Sequence, residues 1–156
     1  MELLHELNNN PAFSHLHAIH ESQNSLYMVM ELLSRNLLAH IQKFGFPTFA
    51  NCKQLMLNLA KALAHLHRLG IMHRDIKLAN IMMREDTPNT ADAVIVDFGI
   101  ARRGPVAAHA PVCGTPGFIA PEIFAGNGYT HSCDVFSLGV VFHFLYPCPQ
   151  LDCSAT

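Results

Sequence analysis

The sequence has little charge and no bias in its sign. Of 156 residues, 14% are charged and the formal net charge is −2. That excludes the basic footprint of a nucleic-acid or anionic-membrane binder. The five cysteines, at positions 52, 113, 133, 148 and 153, include no close CxxC pair. Zinc-site spacing is therefore missing. The odd number reads as free thiols in a reducing compartment, with a cytoplasmic location as the default expectation. The opening "MELLHELNNN" has neither the basic region nor the apolar stretch of a signal peptide. The most apolar segment, Val135 to Tyr146, is 12 residues long and carries Ser137 and His143. It is too short to span a bilayer and reads as a buried core helix. There is no repeat and no low-complexity run.

Half of the residues are apolar, enough for a core in one ordinary domain, and histidine is plentiful at 11. Glu2–Leu7 reads as the last turns of a helix. The segments 13–20 and 26–31 are rich in strand formers, and "ESQNS" between them has hairpin chemistry. A short helix is predicted over 37–44, stopped by Gly45 and Pro47. Thr48 is a plausible N-cap for a helix over about 49–69, in which Leu55, Leu59, Leu63 and Leu66 recur at helical spacing. Gly70 is its stop. "REDTPNTAD" reads as a solvated turn and 93–96 as a short strand. Residues 100–121 read as a long loop, either ordered or disordered, and 132–146 as the buried helix. Strands come early and helices late, which predicts an α+β fold.

Two polar clusters interrupt this pattern: "HRDIKLAN" at 73–80 and "DFG" at 97–99. Each ends a short apolar run, where a loop leaves a scaffold and can present side chains. Asp75 is placed to act as a base toward a hydroxyl. Lys77, two residues on, points to the same side of an extended loop and can neutralise a phosphate. Asn80 and Asp97 offer hard oxygens suited to Mg2+. A base, a cation and two oxygen ligands make a phosphoryl-transfer site.

"HRDIKLAN", "DFG" and "GTPGFIAPE" (114–122) together resemble the catalytic loop, magnesium loop and activation-segment end of a eukaryotic-type protein kinase. Lys77 and "GTPGFIAPE" resemble the serine/threonine branch. The resemblance implies transfer of the ATP γ-phosphoryl group to protein Ser/Thr hydroxyls, with Mg2+. It implies Asp75, Lys77, Asn80, Asp97 and Thr115 as catalytic residues, and Asn80 and Asp97 as metal ligands. "LYMVMELL" (26–33) resembles the fifth strand and hinge. Met30 is then the gatekeeper, Glu31 and Leu33 present backbone groups to adenine, and Met82 floors its pocket. Asn36 stands where many relatives place an acid for the ribose. Asp134 resembles the residue that holds the catalytic-loop backbone. Leu4, Leu16, His73 and Phe98 fall where the family stacks a regulatory spine. The implied fold is incomplete: an upper-lobe remnant (1–30), a hinge (31–33), a lower lobe (34–145) and a divergent tail (146–156).

The departures carry their own expectations. No GxGxxG and no VAIK-like strand appear. The chain is expected to be inactive alone, and a non-catalytic kinase-like binding or scaffold protein is the alternative. A gene-model fragment is a further reading. The arginine that would pair with Glu122 is missing, and stranding a buried charge costs about 3–5 kcal/mol. The helix over 132–146 would also expose an apolar patch, so a poorly soluble or molten chain is expected. Between Phe98 and Gly114 there is no Ser, Thr or Tyr, and Pro111 stands where many relatives carry the activating phosphate, yet Arg74 is present to bind one. A protein substrate is implied, but no nucleic acid and no membrane. Plainer readings suit the rest. His15, His17 and His20 lie on a solvated strand, His65 and His67 are surface or packing residues, and Cys113 is an inert thiol rather than a redox switch.

Overall fold

The computed structural model describes residues 2–146. Its element order is α1 (Glu2–Leu7), β1 (Leu16–Glu21), β2 (Leu26–Met30), β3 (Arg35–Asn36), α2 (Leu37–Phe44), α3 (Phe49–Arg68), β4 (Ile71–Met72), β5 (Ile81–Met83), β6 (Ala93–Ile95), β7 (Arg102–Arg103), α4 (Pro121–Ala125) and α5 (Ser132–Leu145). A 3-10 turn, Leu78–Asn80, precedes β5. The α+β expectation holds: three small antiparallel sheets, β1-β2, β3-β5-β6 and β4-β7, sit around helices that carry the core.

Helix α3 begins where a side chain can satisfy an orphan amide. Thr48 Oγ1 accepts the Asn51 N–H at 3.3 Å. Its apolar stripe, Cys52, Leu55, Leu59, Ala62, Leu63 and Leu66, is buried. It stops because Gly70 adopts φ +73°, a conformation that strains other residues, and donates its N–H to His67 O. Asn36 ends β3 and caps α2 by accepting the Ala39 N–H at 2.9 Å. The turn after Gly70 feeds β4 straight into the loop 73–77. β5 and β6 then pair in register, Ile81 opposite Ile95, so that two polar loops emerge side by side.

Several expectations change. β1 starts at Leu16, not at Phe13. Phe13 is buried and makes a single parallel bridge to Ile95, because its ring packs against Phe98 and near His65 instead of continuing the hairpin. Asn8 fixes where the strand begins: its amide group exchanges hydrogen bonds of 2.7 and 2.8 Å with the Leu16 backbone. The segment 100–121 is ordered, with β7 paired to β4. Helix α5 is buried on one face only. Asp134, Ser137, Leu138, Val141 and Leu145 face inward, while Val135, Phe136, Phe142 and Phe144 are exposed. Strand β2 likewise exposes Leu26, Tyr27, Met28 and Val29. The α5 face is the apolar patch expected from the sequence; the β2 face was not foreseen. Glu122 is not a stranded buried charge. It is partly exposed and accepts the Ser132 hydroxyl at 3.0 Å, so most of the desolvation cost never arises. No helix among the described residues is long and apolar enough to cross a membrane. The thiols of Cys52, Cys113 and Cys133 are free, and Cys148 and Cys153 lie outside the described residues.

Candidate active site

The loop after β4 is held from below by one buried carboxylate. Asp134, with no exposed surface, accepts the His73 N–H at 2.9 Å and the Arg74 N–H at 2.8 Å. His67 Nε2 on α3 lies 2.8 Å from the same carboxylate. Burial pushes the Asp134 carboxyl up, but the His67 bond and the two backbone donors outweigh it and hold its pKa below the usual range. Arg74 adopts φ +68°, costing roughly 1–2 kcal/mol for a residue with a Cβ. Donation to Asp134 fixes it there. His73 is buried and its pKa is lowered, mainly by desolvation. Its Nδ1 accepts the Asp75 N–H at 3.2 Å and its Nε2 bonds Val96 O at 3.0 Å, which assigns a neutral ring protonated at Nε2.

Above this base four of the sequence-predicted residues meet. Lys77 Nζ lies 2.7 Å from Asp75 Oδ2 and donates at 2.7 Å to Thr115 Oγ1. The Thr115 hydroxyl in turn donates to Asp75 Oδ1 at 2.6 Å. Asn80 Nδ2 donates to Asp75 Oδ2 at 3.0 Å and to Asp75 O at 2.9 Å. Burial raises the Asp75 pKa, and Lys77 and Thr115 more than offset it, so the carboxyl stays below its ordinary range and ionised. A carboxylate oxygen has two acceptor positions. Oδ2 uses both, on Lys77 and Asn80, and Oδ1 uses one, on Thr115. One acceptor position of Oδ1 is left. Thr115 reaches Asp75 because Gly114 lets the chain pass close to Arg74: a Cβ there would lie 2.9 Å from Arg74 O.

Asp97 stands beside this cluster and not within it. Val96 N–H donates to Asn80 O at 3.0 Å, which sets the two loops side by side. Asp97 has φ +64° and an exposed side chain whose Oδ1 accepts the Gly99 N–H at 3.2 Å. A Cβ at Gly99 would lie 3.1 Å from that oxygen, so glycine leaves the carboxylate room. Phe98 turns inward onto His73, ring centroids 5.0 Å apart, and onto Phe13 at 5.7 Å. Of the four stacked residues expected, His73 and Phe98 meet; the apolar cluster that Phe98 packs against includes Phe13 and takes Leu3, with neither Leu4 nor Leu16 among its members.

The segment 31–34 is partly preorganised. Glu31 N–H donates to His15 O, and the Glu31 carboxylate binds Arg84 at 2.6 Å, a pairing the sequence did not suggest. Ser34 N–H donates to Met83 O, while Glu31 O and Leu33 N–H carry no backbone partner among the described residues. Met30 and Met82 are partly exposed on β2 and β5. Asn36 spends its side chain on the α2 cap. Leu32 is 95% exposed, so these residues form a floor without a roof. A cavity of about 590 Å³ lined by Asn10, Lys61, His65, Arg68, Arg84 and Asp92 meets this segment only through Arg84 and is lined by none of Met30, Leu33 and Met82. The exposed His15 and His17 rings pack 4.8 Å apart, and among the described residues no three ligating side chains gather around a metal position.

His67 and Tyr129 were missed by sequence reasoning. Two histidines two residues apart on a helix do not face each other, which says nothing of a partner brought from α5, 67 residues away.

Comparison with known proteins places this geometry. The chain matches the family described as "Protein kinase domain" over residues 1–149. The human protein "Ribosomal protein S6 kinase alpha-4" is 38% identical over 141 residues, and its mouse counterpart is 37% identical. Each match covers 87% of this chain and 18% of the relative. The human "Serine/threonine-protein kinase DCLK3" is 31% identical over 138 residues, covering 87% of this chain and 21% of that protein. The chain thus spans about a fifth of the length of the curated relatives it matches.

Proposed function

This chain belongs to the protein kinase domain family, and from that premise we propose that the cluster around Asp75 is the phosphoryl-transfer site of a serine/threonine protein kinase. One observation carries the reading: Asp75 Oδ1 keeps a single acceptor position, beside a lysine ammonium and a threonine hydroxyl. That position suits a substrate Ser or Thr hydroxyl. Asp75 orients the hydroxyl oxygen and takes its proton as transfer proceeds; its low pKa makes orientation the larger part of its work. Lys77, already neutralised by Asp75, shares its charge with the transferred phosphoryl group. Thr115 keeps Lys77 and Asp75 in register.

The oxygen donors fit Mg2+. Asn80 is oriented by the two bonds its Nδ2 donates, and its Oδ1 accepts no hydrogen bond among the described residues. Among the described residues the Asp97 carboxylate is committed only to Gly99. Asn80 and Asp97 would hold the ion, which when bound neutralises charge on the nucleotide phosphates. Glu31 O and Leu33 N–H supply an acceptor and a donor for adenine, with Met30 and Met82 as its apolar walls. On this reading residues 1–30 belong to the upper lobe, 31–33 to the hinge and 34–145 to the lower lobe. A second reading, a non-catalytic kinase-like binding protein, is favoured by the exposure of Leu32 and Asp97, which leaves the nucleotide floor uncovered.

The experiment has two arms. With excess ATP, Mg2+ is expected to shift the amide resonances of Glu31, Leu33, Asn80 and Asp97 in this chain, and Asp97→Asn is expected to remove the Mg2+ dependence. ATP shifts confined to other residues, or indifferent to Mg2+, overturn the site. Transfer from ATP to Ser or Thr peptides by the protein that carries this chain, lost in Asp75→Asn, supports catalysis. Nucleotide binding without any transfer favours the second reading.

A further inference from the structure

Arg74 is the residue that would grip an activating phosphate, and the loop it faces contains nothing to phosphorylate between Phe98 and Gly114. Two of its five guanidinium N–H donors are nevertheless engaged within the chain. Nε donates to Ile100 O at 2.7 Å, and Nη1 donates to the Tyr129 hydroxyl at 3.1 Å. Tyr129 is 7% exposed, and Cys113 Sγ lies 3.4 Å from the same oxygen. Tyr129 is also built into the loop through its backbone: its N–H and C=O both bond Val106, at 3.1 and 2.9 Å. His109 N–H donates to Gly126 O, and Gly104 N–H to Gly70 O, at 2.9 and 2.8 Å. Gly128 makes the approach possible, since a Cβ there would meet Val106 O at 2.7 Å. One tyrosine therefore joins three segments: its hydroxyl reaches Arg74 and Cys113, its backbone pairs with Val106, and its position leads into α5.

We infer that the Tyr129 hydroxyl takes the place of a loop phosphate on Arg74, making it a positioning residue that holds the catalytic loop and the segment 100–114 together without covalent modification. The inference rests on the kinase reading for its purpose, but the contact itself needs neither nucleotide nor substrate. A guanidinium normally seeks an anion. Here a neutral oxygen, fixed by a two-bond backbone pair, takes one Nη1 proton and a backbone carbonyl takes the Nε proton, which orients the guanidinium as a phosphate would. The consequence is a site assembled constitutively, in which added phosphate finds Arg74 already engaged.

The test is Tyr129→Phe in this chain, which keeps the buried ring and removes only the hydroxyl. The readouts are the 15N-detected side-chain resonances of Arg74 and amide hydrogen exchange over 100–114. In the unsubstituted chain the Arg74 Nε proton and the Nη1 proton on Tyr129 are expected to be protected, and excess inorganic phosphate to add no further protection to them. In Tyr129→Phe they should exchange about tenfold faster or more, with the loop amides following, and inorganic phosphate should restore protection of both. A ring acting only as packing would leave the Arg74 signals alone. Unchanged Arg74 signals in the variant, a phosphate response in the unsubstituted chain, or lost protection that phosphate does not restore each overturn the inference. If Tyr129→Phe does not fold, Arg74→Gln reads the pair from the other side. The Tyr129 ring-carbon resonance beside the hydroxyl must then move, and an unmoved resonance refutes the contact. Failure of the kinase reading would appear in the Asp75 and Asp97 experiments and leave these signals untouched.

Discussion

His67 on α3 and Asp134 on α5 share a bond of 2.8 Å beneath the loop 73–77. Through it, two helices that carry the core are tied to the same carboxylate that holds the strained Arg74 backbone. The loop's geometry is thus a property of the packed helices and not of the loop's own sequence.

Asp134→Ala removes the acceptor for two buried N–H groups and a ring nitrogen. The expected loss is about 3–5 kcal/mol, because each donor is left without water or a partner. His67→Ala should cost less, about 2 kcal/mol, since Asp134 keeps both backbone donors. Urea unfolding checks this through the midpoint at unchanged slope. Equal losses in the two variants would contradict the ranking.

Glycine substitutions separate close approach from backbone conformation. Gly70→Ala meets no atom within 4 Å and pays only for its φ of +73°, about 1 kcal/mol. Gly114→Ala has φ +107° and a Cβ 2.9 Å from Arg74 O, so it should cost about 2–3 kcal/mol and pull Thr115 from Asp75. Thermal unfolding of both variants measures the difference. A Gly114 variant no worse than the Gly70 variant would show that the loop moves aside freely.

Stability should fall with acid in two stages. His73 and His40 are buried with pKa values lowered by desolvation, so in the fold both stay neutral where the unfolded chain takes up protons. Their contribution is complete above the unfolded value near 6.5 and declines below it, by at most about 1.4 kcal/mol per pH unit for each. Asp134 and Asp75 have pKa values held below the ordinary carboxylate range, so their contribution is complete above the unfolded values and is lost as pH falls through the folded ones. Unfolding free energy measured from pH 8 to 4 should therefore begin to drop near pH 6.5, before any carboxylate titrates. A flat profile down to pH 5 would exclude the histidine contribution.

Val135 and Phe124 are 59% and 63% exposed. Lysine at both positions should leave the unfolding free energy within about 0.5 kcal/mol while raising solubility, since no core contact is lost and an apolar patch is broken. Ultracentrifugation and a denaturant melt check the pair of outcomes. A large loss of stability would mean these faces are packed in solution.

The legible parts of this fold were those with local causes. Helices α2 and α3 followed from leucine spacing, Thr48 and the two glycines at their ends. The site residues 75, 77 and 80 were readable as a set from their chemistry and close spacing, although Asp134 on α5 fixes the loop that carries them. Their agreement with "DFG" and "GTPGFIAPE" pointed to one family. The start of β1 was not readable, since Asn8 decides it through side-chain bonds to Leu16 and Phe13 leaves the strand for the core. Nor was the state of Glu122, which depends on how much water reaches it. The hydrophobic character of 132–146 indicated a helix correctly and misjudged its burial, because a pattern apolar on every side does not say which side is covered.

The amino-acid order alone determined the chemistry available here: a carboxylate, an ammonium, an amide and a second carboxylate at set spacings, and a loop with no hydroxyl between Phe98 and Gly114. Only the tertiary structure decided what those groups face. Asp134, Thr115 and Tyr129 come from 60, 40 and 55 residues beyond the groups they engage. Contacts over such separations follow from how helices and loops pack together, which no local pattern in the chain encodes.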